Sequence, residues 1–246
     1  MSTDTTVDPY ARSAEFYDVM AAPHWEAKRE FLLAALRGAG PITDPLLDIG
    51  AGSGLSTVTL VDSVAAVPIH AVEPSAAMRA ALVSRLLAHP SAATRVTVHA
   101  EGIDDVRLPD RLGAVAMMGV VGYLEPEVRQ QLWANLRERL TPRSPVIVEF
   151  MALSAPVEVP EFTIAQRRIG TRAVEVRIGG RPAAADAQQW RMRYVVREHD
   201  EIVRDFTAEH LWRTIGVEIL AREAAAHDMT CEQVSPIIAV LRPAGG

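Results

Sequence analysis

The chain reads as an α/β protein: a doubly wound, Rossmann-like sheet of seven strands, with N-terminal lid helices and a small antiparallel β insertion after strand 5. Three observations predict it. Short apolar runs near 45–49, 67–72, 95–99, 114–118 and 145–150 alternate with helical patterns, which favours a parallel sheet. The first run ends in Asp48 and the alternating glycines Gly50, Gly52 and Gly54, the mark of a strand that turns tightly into a helix over a ligand. Beyond Phe150 the helical alternation stops, and polar–apolar alternation typical of paired strands begins.

The elements follow in order. Residues 1–8 are polar and read as disordered. A helix is expected over 9–20, with Pro9 in its first turn, and Pro23 separates it from a second helix over 25–36. In that second helix Phe31, Leu32, Ala35 and Leu36 form an apolar face, and Gly38, Gly40 and Pro41 end it. The second strand stops at Glu73, and Ser75 opens a helix reaching about Leu87. The third strand leads into Ala100-Glu101-Gly102-Ile103, and the fourth ends at Met118-Gly119. Pro126 opens a helix in which Val128, Leu132, Leu136 and Leu140 recur every four residues. The insertion is expected to contain strands over 171–178, 190–196 and 201–206, with Gly179-Gly180 as a turn. Thr207 then reads as the cap of a helical stretch that Gly216 splits, and strands near 230–234 and 237–241 close the chain. The divisions are lid helices over 1–40, the core over 41–155, the insertion over 156–206, and closing helices and strands over 207–246.

Composition narrows the function classes. A net charge of −6 argues against a dedicated nucleic-acid binder, which needs a basic face. Cys231 is the only cysteine, so neither a disulfide framework nor a multi-cysteine metal site can form within the chain. The N-terminus lacks a secretory pattern and no apolar run reaches membrane-spanning length, so a cytoplasmic protein without membrane contact is expected; a homodimer is compatible with the sequence.

The glycine turn discriminates between cofactors. A dinucleotide fingerprint needs Gly or Ala three residues after its second glycine, and Leu55 stands there. No phosphate-binding lysine follows, so it is not a P-loop. The run Leu47-Asp48-Ile49-Gly50-Ala51-Gly52-Ser53-Gly54 instead closely resembles motif I of the class I S-adenosylmethionine-dependent methyltransferases, and the resemblance continues in register over roughly 45–150. It implies strand order 3-2-1-4-5-7-6 with the last strand antiparallel. It implies Gly50, Gly52 and Gly54 beneath the methionine portion of the cofactor and Asp48 near its amino group. Glu73 would grip the ribose hydroxyls, Glu101, Gly102 and Ile103 would lie against the adenine with Met78 as a packing candidate, and Met118 and Gly119 would flank the methionine. No metal is implied: between Leu112 and Tyr123 there is no acid for a catechol-type metal cluster. An Asn/Asp-Pro-Pro-Tyr sequence is also absent after the fourth strand, against methylation of adenine or glutamine amino groups.

In such enzymes the cofactor supplies the activated methyl, and the protein supplies position and at times a base. Candidate acceptor-side residues are Tyr17 and His24 on the lid helices, and Tyr123 and Glu149 at the ends of strands four and five. The arginine-rich insertion reads more readily as a solvated, acid-paired face than as an anion site, with Trp190, Met192 and Tyr194 lining a pocket or packing in the core. The expected activity is methyl transfer to oxygen or nitrogen of a small molecule, of the natural-product tailoring kind. Methylation of RNA or protein, and a non-methylating S-adenosylmethionine-binding role as pericyclic catalyst or regulator, remain alternatives.

Overall fold

The computed structural model describes residues 8–245, so the expectation for residues 1–7 lies outside the described residues. Seven strands form the main sheet: β1 (Leu46–Ile49), β2 (Ile69–Val72), β3 (Val96–His99), β4 (Ala114–Met117), β5 (Val146–Glu149), β10 (Met229–Ser235) and β11 (Ile238–Pro243). Their order is β10-β11-β5-β4-β1-β2-β3. The first five pair in parallel, and β11 runs antiparallel to both β5 and β10. This is the expected order. Strands β1 and β4 are buried along their whole length, which is why they read as continuous apolar runs rather than alternating ones. Four helices link the parallel strands or precede them: α1 (Tyr17–Ala39), α2 (Leu55–Ser63), α3 (Ala76–Ala88) and α4 (Pro126–Arg139).

The N-terminal helices differ from expectation. Residues 8–16 form turns ending in a short 3₁₀ segment, and α1 then runs unbroken through Pro23. Proline in a helix interior removes one hydrogen bond and costs about 3 kcal/mol. Packing outweighs that cost: Val19, Trp25, Leu32, Ala35, Leu36 and Ala39 are all buried, and Trp25 Nε1 donates to Thr59 Oγ1 at 3.2 Å. A sequence window sees the breaker and not the surface that holds the helix through it.

The insertion is larger than expected. Four long strands, β6 (Val159–Ile169), β7 (Arg172–Ala184), β8 (Ala187–Glu198) and β9 (Glu201–Arg213), form an antiparallel sheet in that order. Gly179 and Gly180 are not a turn but lie inside β7, opposite Arg191 and Trp190. A Cβ on Gly180 would sit 2.8 Å from the Trp190 ring, so the glycine makes room for the indole. Residues 207–213 are strand, not helix. Ala208, His210 and Trp212 are buried while Glu209 and Leu211 are exposed, a period of two that the Thr207 cap signal masked. Helix α5 (Val217–Ala225) begins only after Gly216. One face of this sheet packs on Phe16 and Val19 through Val174, Val176, Met192, Tyr194 and Val196, so the insertion and α1 share a core.

Helix α5 is pinned by a buried ion pair. Arg129 Nε and Nη2 donate to the Glu223 carboxylate at 3.1 and 2.7 Å, and Trp133 Nε1 donates to it at 2.9 Å. Removing the acid strands a buried guanidinium. Glu223→Ala is expected to cost about 3–5 kcal/mol of stability in urea denaturation; a loss below about 1 kcal/mol, the range of an exposed pair, would contradict this role.

Candidate active site

The glycine turn is built from constrained backbone. Gly50, Gly52 and Gly54 have φ of 69°, 57° and 90°, a region L side chains rarely adopt. At Gly50 space is lacking as well, because a Cβ would stand 2.7 Å from the Val120 side chain. Two buried acids hold the turn. Asp48 Oδ2 accepts from Ser56 Oγ at 2.8 Å and Thr57 Oγ1 at 2.6 Å, both in the first turn of α2. Its Oδ1 is buried with no hydrogen-bond partner among the described residues. Burial pushes the Asp48 pKa up to about 6, against the opposing hydrogen bonds from Thr57 and Ser56. Glu73 accepts from Gly52 N–H and Ser75 N–H, each at 2.8 Å, and burial raises its pKa despite those bonds.

Residues 8–18 lie against this turn. Asp8 Oδ2 accepts from Ser75 Oγ at 2.9 Å and Ala77 N–H at 3.2 Å, at the start of α3. Asp18 Oδ1 accepts from Ser53 Oγ at 2.6 Å, and Asp18 also pairs with Arg85, whose Nε donates to the Ser53 carbonyl at 2.7 Å. Tyr10 OH donates to Tyr123 OH at 2.9 Å, and the Tyr10 ring lies 4.8 Å from that of His210.

Above the turn is a cavity of about 440 Å³. Its floor includes Gly50, Gly52, Met118 and Gly119, and its lid side comes from Tyr10, Tyr17, His24 and Lys28. The inserted sheet supplies Ile178, Trp190, Met192, Tyr194, His210 and Trp212. Lys28 Nζ lies 2.6 Å from Glu149 Oε1, so this acid at the end of β5 already has a cationic partner. Burial raises the Tyr17 pKa well above the phenol range and that of Tyr123 to about 12, so both are hydroxyl donors at neutral pH. Burial lowers the His210 pKa, which keeps its imidazole neutral; its Nδ1 is enclosed with no partner among the described residues.

The structure thus brings Tyr17, His24, Tyr123 and Glu149 to one cavity with Gly50, Gly52, Met118 and Gly119. Asp48, Gly54 and Glu73 lie beneath or beside the turn rather than on the cavity wall. Met78 is fully buried, its Cε 3.5 Å from where a Gly52 Cβ would stand, so it supports the turn from below. Ile103 is packed in the core, and Glu101 is exposed in the loop after β3. Sequence reasoning passed over Tyr10, Lys28 and Trp212, and placed His210 on a helix. The period of two through Ala208, His210 and Trp212 was the available signal for that stretch; Tyr10 and Lys28 reach the cavity only through the path of the chain.

Residues 46–143 match the family model described as "Methyltransferase domain". No curated protein sequence matches the chain. Among solved structures, it is similar to Streptomyces venezuelae DesVI, at 22% identity and TM-score 0.74 over 94% of this chain and 96% of that one. It is similar to the CcbJ methyltransferase of Streptomyces caelestis, at 18% identity and TM-score 0.73 over 97% and 98%. It also matches S-adenosylmethionine-bound CalS10, an amino pentose methyltransferase of Micromonospora echinaspora, at 19% identity and TM-score 0.71 over 89% and 91%. These likenesses show the fold, across both the main sheet and the inserted sheet. No helix among the described residues is long and apolar enough to cross a membrane.

The features of the turn fit an S-adenosylmethionine. Asp48 Oδ1 is an anionic acceptor without a donor, and the cofactor's ammonium can fill that need. Such a partner favours the carboxylate, so affinity for S-adenosylhomocysteine, which carries the same ammonium, should rise as pH climbs from about 5 through the Asp48 pKa near 6. Asp48→Asn should flatten that rise in calorimetric titrations; an unchanged profile would remove Asp48 from cofactor recognition.

Proposed function

We propose that this protein is a methyltransferase that moves the methyl group of S-adenosylmethionine to an oxygen or nitrogen of a small molecule, in the manner of tailoring enzymes. The observation that carries the reading is the single cavity lined by the glycine turn on one side and the aromatic face of the inserted sheet on the other. Acceptor and methyl donor can therefore share one space, the proximity an in-line displacement needs. CalS10 is described as an amino pentose methyltransferase, and a further similar structure as the sugar N-methyltransferase KedS8 of a Streptoalloteichus species, which supports a small-molecule acceptor. Half of the insertion's arginines are already neutralised by acids, which weighs against an RNA substrate. Arg172, Arg177, Arg193, Arg204 and Arg213 are each paired with acids, as a solvated strand face requires.

S-adenosylmethionine supplies an electrophilic methyl group on a sulfonium. Asp48 and the turn at Gly50 and Gly52 would hold its methionine end, Glu73 would accept from the ribose hydroxyls, and the backbone at Glu101–Ile103 would face the adenine. Tyr17 and Tyr123, protonated at neutral pH, orient the acceptor as donors rather than take its proton. His210 is neutral and lines the cavity, so among the groups there it is the base best suited to receive the proton that the acceptor releases. His24 is more exposed and stands at the lid. Glu149, paired with Lys28, adds a fixed dipole to the floor rather than a free base.

Calorimetry with S-adenosylhomocysteine is expected to show binding that Gly52→Arg abolishes, since that side chain would occupy the turn; a wild-type protein that does not bind would overturn the reading. With an acceptor in hand, His210→Ala is expected to lower kcat by about 10²-fold or more while affinity for S-adenosylhomocysteine is retained. Undiminished turnover would exclude His210 as the base.

A further inference from the structure

The same cavity carries information about the acceptor, and the inference rests on the methyl-transfer reading above. Its wall is aromatic and apolar, with Trp190, Met192, Tyr194 and Ile178 from the inserted sheet and Phe150 and Met151 after β5. No arginine lines it among the described residues, although the inserted sheet is rich in arginine. The sheet segregates its two kinds of side chain. Arg177 and Arg193 lie on the opposite face, tied to Glu161, Glu175 and Asp205 in a ladder of ion pairs. Arg204 lies at the outer edge, over Phe16 and Phe206 and bonded to Glu15. Among the described residues Lys28 is the one lysine or arginine on the wall, and Glu149 at 2.6 Å already neutralises it.

Phosphate and carboxylate recognition needs cationic donors, with the arginine fork favoured for its bidentate geometry. An anion brought against this wall would lose water and find hydroxyl and indole donors, but no arginine and no unpaired lysine to neutralise it among the described residues. The cavity, about 440 Å³, sits toward the lower end of small-molecule sites and must also take the methyl-donating end of the cofactor. We propose that the acceptor is a compact ring-bearing amine or phenol that carries no phosphate or other anionic group, and that nucleotide-linked sugars are excluded. The aromatic wall stacks on the ring, the phenol donors Tyr17 and Tyr123 hold its polar substituent, and neutral His210 stands within the same enclosure. On transfer, a lone pair of the acceptor nitrogen or oxygen forms the new bond to the methyl carbon. The sulfur–methyl bond breaks with its electrons on sulfur, leaving a neutral thioether, and the proton of the acceptor passes to His210.

The test uses the full chain saturated with S-adenosylhomocysteine, so that a failure of cofactor binding is seen first and separately. Three probes are then titrated by calorimetry and by the fluorescence of the cavity tryptophans: tyramine, tyramine phosphate ester, and a nucleoside diphosphate hexose. Tyramine is expected to bind at millimolar concentration, and its phosphate ester at least about tenfold more weakly. The nucleotide sugar is expected neither to bind nor to compete. Ala152→Arg adds a guanidinium at an exposed position on the cavity wall and should recover affinity for the phosphate ester. Equal or tighter binding of the ester or the nucleotide sugar by the wild type would overturn the proposal. So would the failure of tyramine to bind the loaded protein.

Discussion

The architecture depends on the two hydrogen bonds that Glu73 accepts, from Gly52 N–H and Ser75 N–H at 2.8 Å each. One carboxylate ties the turn after β1 to the turn after β2. The glycine backbone is held at positive φ, where only glycine sits without strain, so the turn has one shape. Asp48 braces it from below through the first turn of α2. Both acids are buried, and among the described residues neither carboxylate forms an ion pair. Their desolvation is the cost of the arrangement, and it raises the pKa of both.

The second tier of the structure closes over that turn. Asp8 reaches the start of α3 beside Glu73, Asp18 bridges Ser53 and Arg85, and α1 carries Tyr17, His24 and Lys28 to the cavity. The inserted sheet then packs on Phe16 and Val19, so the N-terminal segment and the inserted sheet share one core. The contact between Tyr10, Tyr123 and His210 joins the N-terminal segment, the loop after β4 and strand β9 at a single point. Changes in any of the three would be felt by both halves of the site. A Cβ on Gly122 would come within 2.1 Å of the Trp212 ring, so the loop after β4 and β9 are packed without slack.

Electrostatics sort the inserted sheet into two surfaces. On the outer face, Arg177 and Arg193 pair with Glu161, Glu175 and Asp205 across neighbouring strands. On the inner face, aromatic and sulfur-containing side chains meet the cavity. The segregation follows from the pleat: successive side chains on a strand point to opposite faces, so Trp190, Met192 and Tyr194 share one side while Arg191 and Arg193 share the other.

The sequence alone determined the main sheet, its order by resemblance, and the identity of the turn. Those features are local: an apolar run, an acid and spaced glycines are contiguous, and backbone conformation there is dictated by the residues themselves. Tertiary structure decided the rest. Pro23 sits in a continuous helix because distant Thr59 and the neighbouring core hold it. Residues 207–213 are strand because β8 lies beside them, and Gly180 is a space for Trp190 rather than a turn. Tyr10, Lys28, His210 and Trp212 join the site through contacts across the fold that no local window contains. The aromatic cavity wall belongs to this second kind: its chemistry depends on which face of each strand meets the cavity, a matter of register between elements far apart in the chain.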